Sequence, residues 1–221
     1  DSLLFMDCDS AVPSEKFIEN YLPFCRKEMV VCGGRVYNPA PPEEPEYLLR
    51  WLYGISREQI PATIRNLNPY RSFMTNNFLI SKNICLQIQF DENIVRYGHE
   101  DTLFGLELKK QLVLIKHIDN PLIHIGLEIS REFLRKTEEG IGNLLMLIHD
   151  NKIKQDDIRD IRLLRAYNMV KKFRMVRLYG FLYSFISNMV MRNLLGSNPG
   201  IFAFDLYKLS LISQPLRIRK P

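Results

Sequence analysis

Two carboxylates one residue apart, Asp7 and Asp9, close the run Leu3-Leu4-Phe5-Met6-Asp7-Cys8-Asp9-Ser10. Groups that only accept hydrogen bonds repel at this spacing unless a cation sits between them, and hard divalent ions such as Mg²⁺ or Mn²⁺ take carboxylate oxygens. Asp-x-Asp is also a common turn or helix cap, here ahead of Pro13-Ser14-Glu15, so the pair alone leaves metal site and cap both open. A second acidic pair, Glu100-Asp101, follows Gly98-His99 and precedes a helical pattern with Phe104, Leu108 and Leu112 at four-residue spacing. Acids at a helix start are stabilised by the dipole and the free N–H groups, which is one full account of them. The other is catalytic: the same position holds one carboxylate fixed and ionised, as a general base requires.

Thr75, Asn76 and Asn77 bring together hydroxyl and amide groups that donate and accept, suited to sugar hydroxyls or to a turn. His124 stands between apolar neighbours, where an imidazole is either a metal ligand or a satisfied core residue, and His117 is its nearby competitor.

The elements that must position these groups follow from periodicity. The apolar run at residues 3–6 predicts a strand buried on both faces of an α/β sheet, at whose carboxyl end ligands gather. Residues 13–24 read as a helix with Phe17, Ile18, Tyr21 and Leu22 on one face. Residues 29–32 read as a strand, Gly33-Gly34 as a break, and Arg35-Val36-Tyr37 as its continuation. The Pro/Glu segment 39–45 forbids regular structure, residues 46–53 are helical, and 55–70 form a polar connection. Apolar segments at 73–80, 112–116 and 121–126 read as strands, with a short helix at 81–86 between the first two. Residues 130–150 form a long helix with Ser130 as cap and Phe133, Leu134, Ile141, Leu144, Leu145 and Ile148 on its core side.

An apolar strand ending in Asp7-Cys8-Asp9, then Phe90-Asp91-Glu92, then Gly98-His99-Glu100-Asp101, resembles the glycosyltransferases of the GT-A fold, especially the inverting family 2. The similarity runs from Leu3 to about Gly126. It implies an α/β chain: the second half of a GT-A mixed sheet with flanking helices over residues 1–150, then a helical, basic extension over 151–221. Family members place a nucleotide-binding βαβ half before the Asp-x-Asp strand, so the expectation is the second half of a longer protein. The resemblance implies Asp7, Asp9 and His124 as ligands of Mn²⁺ or Mg²⁺, with Asp101 as base and Glu100 beside it. Thr75, Asn76, Asn77 and His99 would meet substrate. The implied reaction moves a sugar, with inversion, from a nucleotide-diphosphate sugar to a hydroxyl of a saccharide or lipid-linked saccharide. Three alternatives stay open: a metal-dependent phosphatase, although Ala11 stands where that motif has Thr or Val; a nucleotidyltransferase; and a non-catalytic subunit that binds sugar nucleotides.

With 221 residues, 46% of them hydrophobic, the chain can bury a sizeable core. Cys8, Cys25, Cys32 and Cys85 lack metal-site or disulfide spacing and read as reduced thiols of a cytoplasmic protein. Charge is uneven: after residue 160 there are eleven Lys and Arg against one acid, and since the chain carries +5, residues 1–160 carry −5. No compact basic recognition motif with interleaved aromatics is present, which argues against a nucleic-acid partner. Residues 162–177 are basic and amphipathic and 178–191 are apolar, a length of about 21 Å that is too short to span a bilayer. This tail is either a core-packing helix with a solvated basic face or an interfacial helix drawn to anionic lipid, which would place the protein at the inner face of the membrane.

Overall fold

The structure is a computed structural model that describes residues 1–90, 97–158 and 161–213. Asp91 and Glu92, part of the resemblance, lie outside the described residues. The strands are β1 (Ser2–Met6), β2 (Ser10–Ala11), β3 (Val30–Cys32), β4 (Arg35–Val36), β5 (Asn77–Ser81), β6 (Ile115–His117) and β7 (Leu122–His124). The short helices are α1 (Leu48–Tyr53), α2 (Ala62–Arg65), α3 (Lys82–Gln87) and α6 (Gln155–Ile158). The longer ones are α4 (Glu100–Lys110), α5 (Ser130–His149), α7 (Arg162–Lys172), α8 (Val176–Leu194) and α9 (Ile201–Ser213). The chain forms two compact units, the first from Asp1–Pro41, Tyr53–Val95 and Glu100–Leu127, the second from Pro42–Leu52, Arg96–His99 and Glu128–Pro221.

The first unit is α/β, with two small mixed sheets. In the larger, of order β1-β5-β3-β6, β5 runs antiparallel to both neighbours and β3 runs parallel to β6. Successive side chains of a strand point to opposite faces, so Phe78 and Ile80 enter one apolar cluster with Val30, Phe73 and Phe104, while Leu79 enters another with Val31 and Tyr21. The strands buried on both faces are therefore β5 and β3. The run at residues 3–6, expected to be such a strand, is instead an edge: β1 pairs with β5 alone among the described residues, and Leu3, Phe5 and Met6 are exposed. An apolar run reports affinity for a buried surface but not how many neighbours the strand has. Phe5 does stack on its cross-strand partner Phe78, ring centroids 4.9 Å apart.

The expected helix over 13–24 shrinks to a 3-10 helix, Glu19–Phe24, with Pro23 inside it. Phe17 and Tyr21 are buried, while Ile18 and Leu22 are exposed. The connection at 55–70 is more ordered than its polarity suggests: a π-helical turn, Gly54–Glu58, precedes α2. From α2 the buried Arg65 donates to the carbonyls of Cys32, Gly33 and Ile118, fixing the corner after β3. Gly34, at φ 93°, makes that corner and starts β4 on the second sheet, of order β2-β7-β4. All four cysteines are free.

The second unit is helical. It includes α5, whereas a boundary at residue 150 would separate α5 from the helices after it; the reason is packing, since Phe133 stacks on Phe204 of α9 at 5.3 Å and Tyr207 donates to Glu138 at 2.5 Å. Ser130 is not the α5 cap. It is the first helical residue, and its hydroxyl donates to the Glu46 carbonyl at 2.6 Å. α8 packs on α9 through Tyr183, Val190 and Leu194, and the Tyr179 hydroxyl donates to the Leu206 carbonyl at 2.7 Å. No helix among the described residues is long and apolar enough to cross a membrane.

Candidate functional site

The site is built where β1 ends and β2 begins. The Asp7 amide donates to the Asn76 carbonyl at 3.0 Å, the last tie to the large sheet, before the chain turns through Cys8. Antiparallel pairing of β2 with β7 then sets Ser10 opposite His124, and parallel pairing of β4 with β7 sets Arg35 opposite Leu122. Three strands remote in sequence thus bring Asp7, Asp9, His124 and Arg35 together.

Asp9 and His124 form one half of this site. Asp9 Oδ1 lies 3.6 Å from His124 Nδ1, and the Asp9 carbonyl accepts from the amides of Ile125 and Gly126 at 2.9 and 3.3 Å. Gly126 is needed for this approach, because a Cβ there would come within 2.7 Å of the Asp9 Cβ. The Tyr37 ring stands edge-on to the His124 ring, centroids 5.3 Å apart.

Asp7 belongs to the other half. Arg35 Nη2 donates to its Oδ2 at 2.5 Å, Arg35 Nη1 to Glu58 Oε2 at 3.5 Å, and the Tyr37 hydroxyl donates to the same Glu58 oxygen. Burial raises the Asp7 pKa, with the Asp9 charge adding to it, and together these outweigh Arg35 and His124, which pull it down. Burial also works against the Arg35 charge, but Glu58, Tyr37 and Asp7 more than compensate, so its pKa is raised and the guanidinium stays protonated.

This donor set fits a divalent ion in part. Among the described residues no group of three or more His, Cys, Asp or Glu is placed to hold a metal ion, and Asp7 faces Arg35. Asp9 Oδ1, however, is buried with no hydrogen-bond partner. An unsatisfied carboxylate oxygen beside an imidazole is a fitting start for Mg²⁺ or Mn²⁺, which draw on one or two carboxylates and complete their shells with water and substrate phosphates. Asp9 and His124 would hold such an ion.

Thr75 and Asn76 form a turn, and Asn77 is the first residue of β5. Asn77 is buried and fully engaged: its Oδ1 accepts from the Tyr21 hydroxyl at 2.7 Å, and its Nδ2 donates to the carbonyls of Gly34 and Asn120. Asn76 differs: its Nδ2 is buried without a hydrogen-bond partner among the described residues, while its backbone carbonyl accepts from the Asp7 amide. Thr75 is half-buried.

Glu100 and Asp101 open α4 as expected, after left-handed residues Gly98 (φ 90°) and His99 (φ 71°). Asp101 Oδ1 accepts from the Thr102 amide at 2.6 Å and from the Thr102 hydroxyl at 3.3 Å. Burial raises the Asp101 pKa against those two bonds, and the charge of Glu58 adds to the rise. Glu58 is thus within electrostatic reach of both acidic features, Asp101 directly and Asp7 through Arg35.

His117 is a core residue. Arg65 can only donate, so Nδ1 accepts from it at 2.7 Å and Nε2 carries the proton, donating to the Pro69 carbonyl at 2.9 Å. Burial pushes its pKa down to about 4.

Arg35, Tyr37 and Glu58 were not anticipated. Arg35 opens β4 and Tyr37 directly follows it, two positions on, a spacing present in Arg35-Val36-Tyr37; Glu58 sits in a polar stretch with no pattern to mark it. No known family profile and no curated protein sequence matches this chain.

Proposed function

We propose that the first unit is the metal- and acceptor-binding part of a GT-A glycosyltransferase. It would move a sugar from a nucleotide-diphosphate donor to a hydroxyl of a saccharide or lipid-linked saccharide, with inversion. The observation that carries this reading is the unpartnered, buried Asp9 Oδ1 next to His124, at the end of an Asp-x-Asp turn. A divalent ion bound there supplies Lewis-acid neutralisation of the leaving diphosphate. Asn76, whose carbonyl accepts from the Asp7 amide, keeps a buried Nδ2 without a hydrogen-bond partner among the described residues, and Arg35 holds Asp7 in place with its charge. Asp101 takes the proton of the attacking hydroxyl; its raised pKa brings it closer to neutrality, where a carboxylate base is more effective. Glu100, exposed on the same turn of α4, orients the acceptor.

Calorimetric titration with uridine and guanosine diphosphates, with and without Mn²⁺, tests the reading on the wild type and on Asp9→Asn. Metal-dependent binding lost in Asp9→Asn supports it; affinity the same in both proteins, or indifferent to metal, counts against it. The engagement of Asp101 by Thr102 favours a second reading, a sugar-nucleotide-binding subunit without turnover, in which that acid only starts the helix.

A further inference from the structure

We infer that the outer face of α8 in the second unit docks on an anionic membrane surface, with Phe181 and Phe185 entering the headgroup region. This does not rest on the proposed activity. α8 is apolar on two opposite sides: one, with Tyr183, Val190 and Leu194, is buried against α9. On the other, Leu178, Phe181, Leu182, Phe185 and Met189 repeat at three- and four-residue steps and are 48%, 61%, 54%, 70% and 65% exposed. The stripe runs about 16 Å along the helix. It continues into the turn before α8, where Phe173 and Met175 are also exposed around Arg174, left-handed at φ 56°. Isolated exposed apolar residues need no explanation, but a contiguous aromatic stripe marks an interaction surface.

Charge identifies the partner. Residues 161–204 contain seven Lys and Arg and no acid. Lys171, Lys172, Arg174 and Arg177 bracket the stripe at one end and Arg192 at the other; all five are exposed, and among the described residues none pairs with a carboxylate. Two copies meeting through this face would oppose like charges across it, whereas anionic lipid meets both features at once. Apolar side chains enter the acyl boundary while the cations meet phosphates. With no helix among the described residues able to span the bilayer, the contact is interfacial.

Vesicle flotation of the whole chain tests this, comparing phosphatidylcholine with and without phosphatidylglycerol. Binding is expected to be ~10-fold or more stronger with phosphatidylglycerol and to fade as salt is added. Phe181→Ser with Phe185→Ser should reduce it ~10-fold or more, and Lys171→Gln with Lys172→Gln, Arg174→Gln and Arg177→Gln should remove the lipid preference. These side chains are exposed, so far-UV circular dichroism should be unchanged. Phe185→Trp, read against the emission of Trp51 in the parent, should shift to the blue on anionic vesicles only. Equal binding to neutral vesicles, no binding to either, or binding indifferent to both sets of substitutions overturns the inference. So does a dimer in sedimentation that Phe185→Ser dissociates while vesicles are ignored, which would make the occupant a second copy.

Discussion

Arg35 Nη2 sits 2.5 Å from Asp7 Oδ2, so one of the two carboxylates of the Asp-x-Asp turn already has a cation supplied by the protein. Asp9 has no Arg or Lys against it among the described residues, only His124 Nδ1 at 3.6 Å, and its Oδ1 is buried without a hydrogen bond. Two residues that are equivalent in the sequence are therefore unequal in the fold, and the asymmetry orders their expected contributions.

Asp9→Asn should weaken Mn²⁺-dependent nucleoside diphosphate binding more than Asp7→Asn, because it removes the charge that is not already offset. His124→Ala should fall between the wild type and Asp9→Asn, because it removes one ligand atom and leaves the Asp9 charge in place. Calorimetry ranks the three, and an Asp7→Asn defect larger than that of Asp9→Asn would move the cation to the Arg35 side.

Arg35 bridges Asp7 and Glu58 from a largely buried position. Arg35→Gln keeps some hydrogen bonding but takes the guanidinium charge away from Glu58, itself mostly buried, and breaking such a pair costs roughly 3 kcal/mol. Urea unfolding measures this. A loss under about 0.5 kcal/mol would class the bridge with screened surface pairs.

Much of the local structure was legible because it depends on neighbours in the chain. Glu100 and Asp101 do start a helix, Ser81 accepts from the Asn83 amide at the start of α3, β7 lies within two residues of the apolar segment that predicted it, and β6 overlaps its segment but begins three residues later. The illegible part depends on pairing. Whether Leu3–Met6 occupies the edge or the centre is decided by Asn77–Ser81, more than seventy positions away, which takes the central place. Arg35 reaches Asp7 only because β4 and β2 flank the same β7, and no residue near either one announces it. His124 and its competitor His117 are separated by their partners: Arg65 and the Pro69 carbonyl fill both nitrogens of His117, while His124 lies beside Asp9.

His117 predicts an acid sensitivity of known sign. Its pKa falls from the ordinary 6.5 to about 4 on folding, so between those values the unfolded chain binds the extra proton. Its contribution is complete above pH 6.5 and is lost as pH falls towards 4, by about 3 kcal/mol in all. Carboxylates add their own acid dependence, so the readout is a difference. His117→Gln, which can still accept and donate, should flatten the fall in unfolding free energy between pH 6.5 and 4.5, and parallel curves for the two proteins would show that the imidazole is already charged in the fold.

Asp101 separates base from helix-starting acid by two readouts that move in different directions. As a base, Asp101→Asn abolishes proton acceptance while keeping size, so sugar transfer should fall by roughly 10²–10⁴ with donor affinity unchanged. Glu100→Gln is the control that tells adjacent carboxylates apart: if it is the dead variant and Asp101→Asn is active, the role moves by one residue. Stability provides the second readout. Because burial raises the Asp101 pKa above 3.8, the folded state holds this proton more tightly than the unfolded state, and the stabilisation present at low pH is lost as pH rises through the raised value. The ionised carboxylate is then a cost at neutral pH that Asn does not carry. Asp101→Asn should melt at a higher temperature than the wild type at pH 7, with the gap closing as pH falls below about 3.8. A variant that is more stable yet inactive is the behaviour of a strained catalytic group; one that is less stable and fully active is the behaviour of a helix-starting acid whose bond to Thr102 was its whole task.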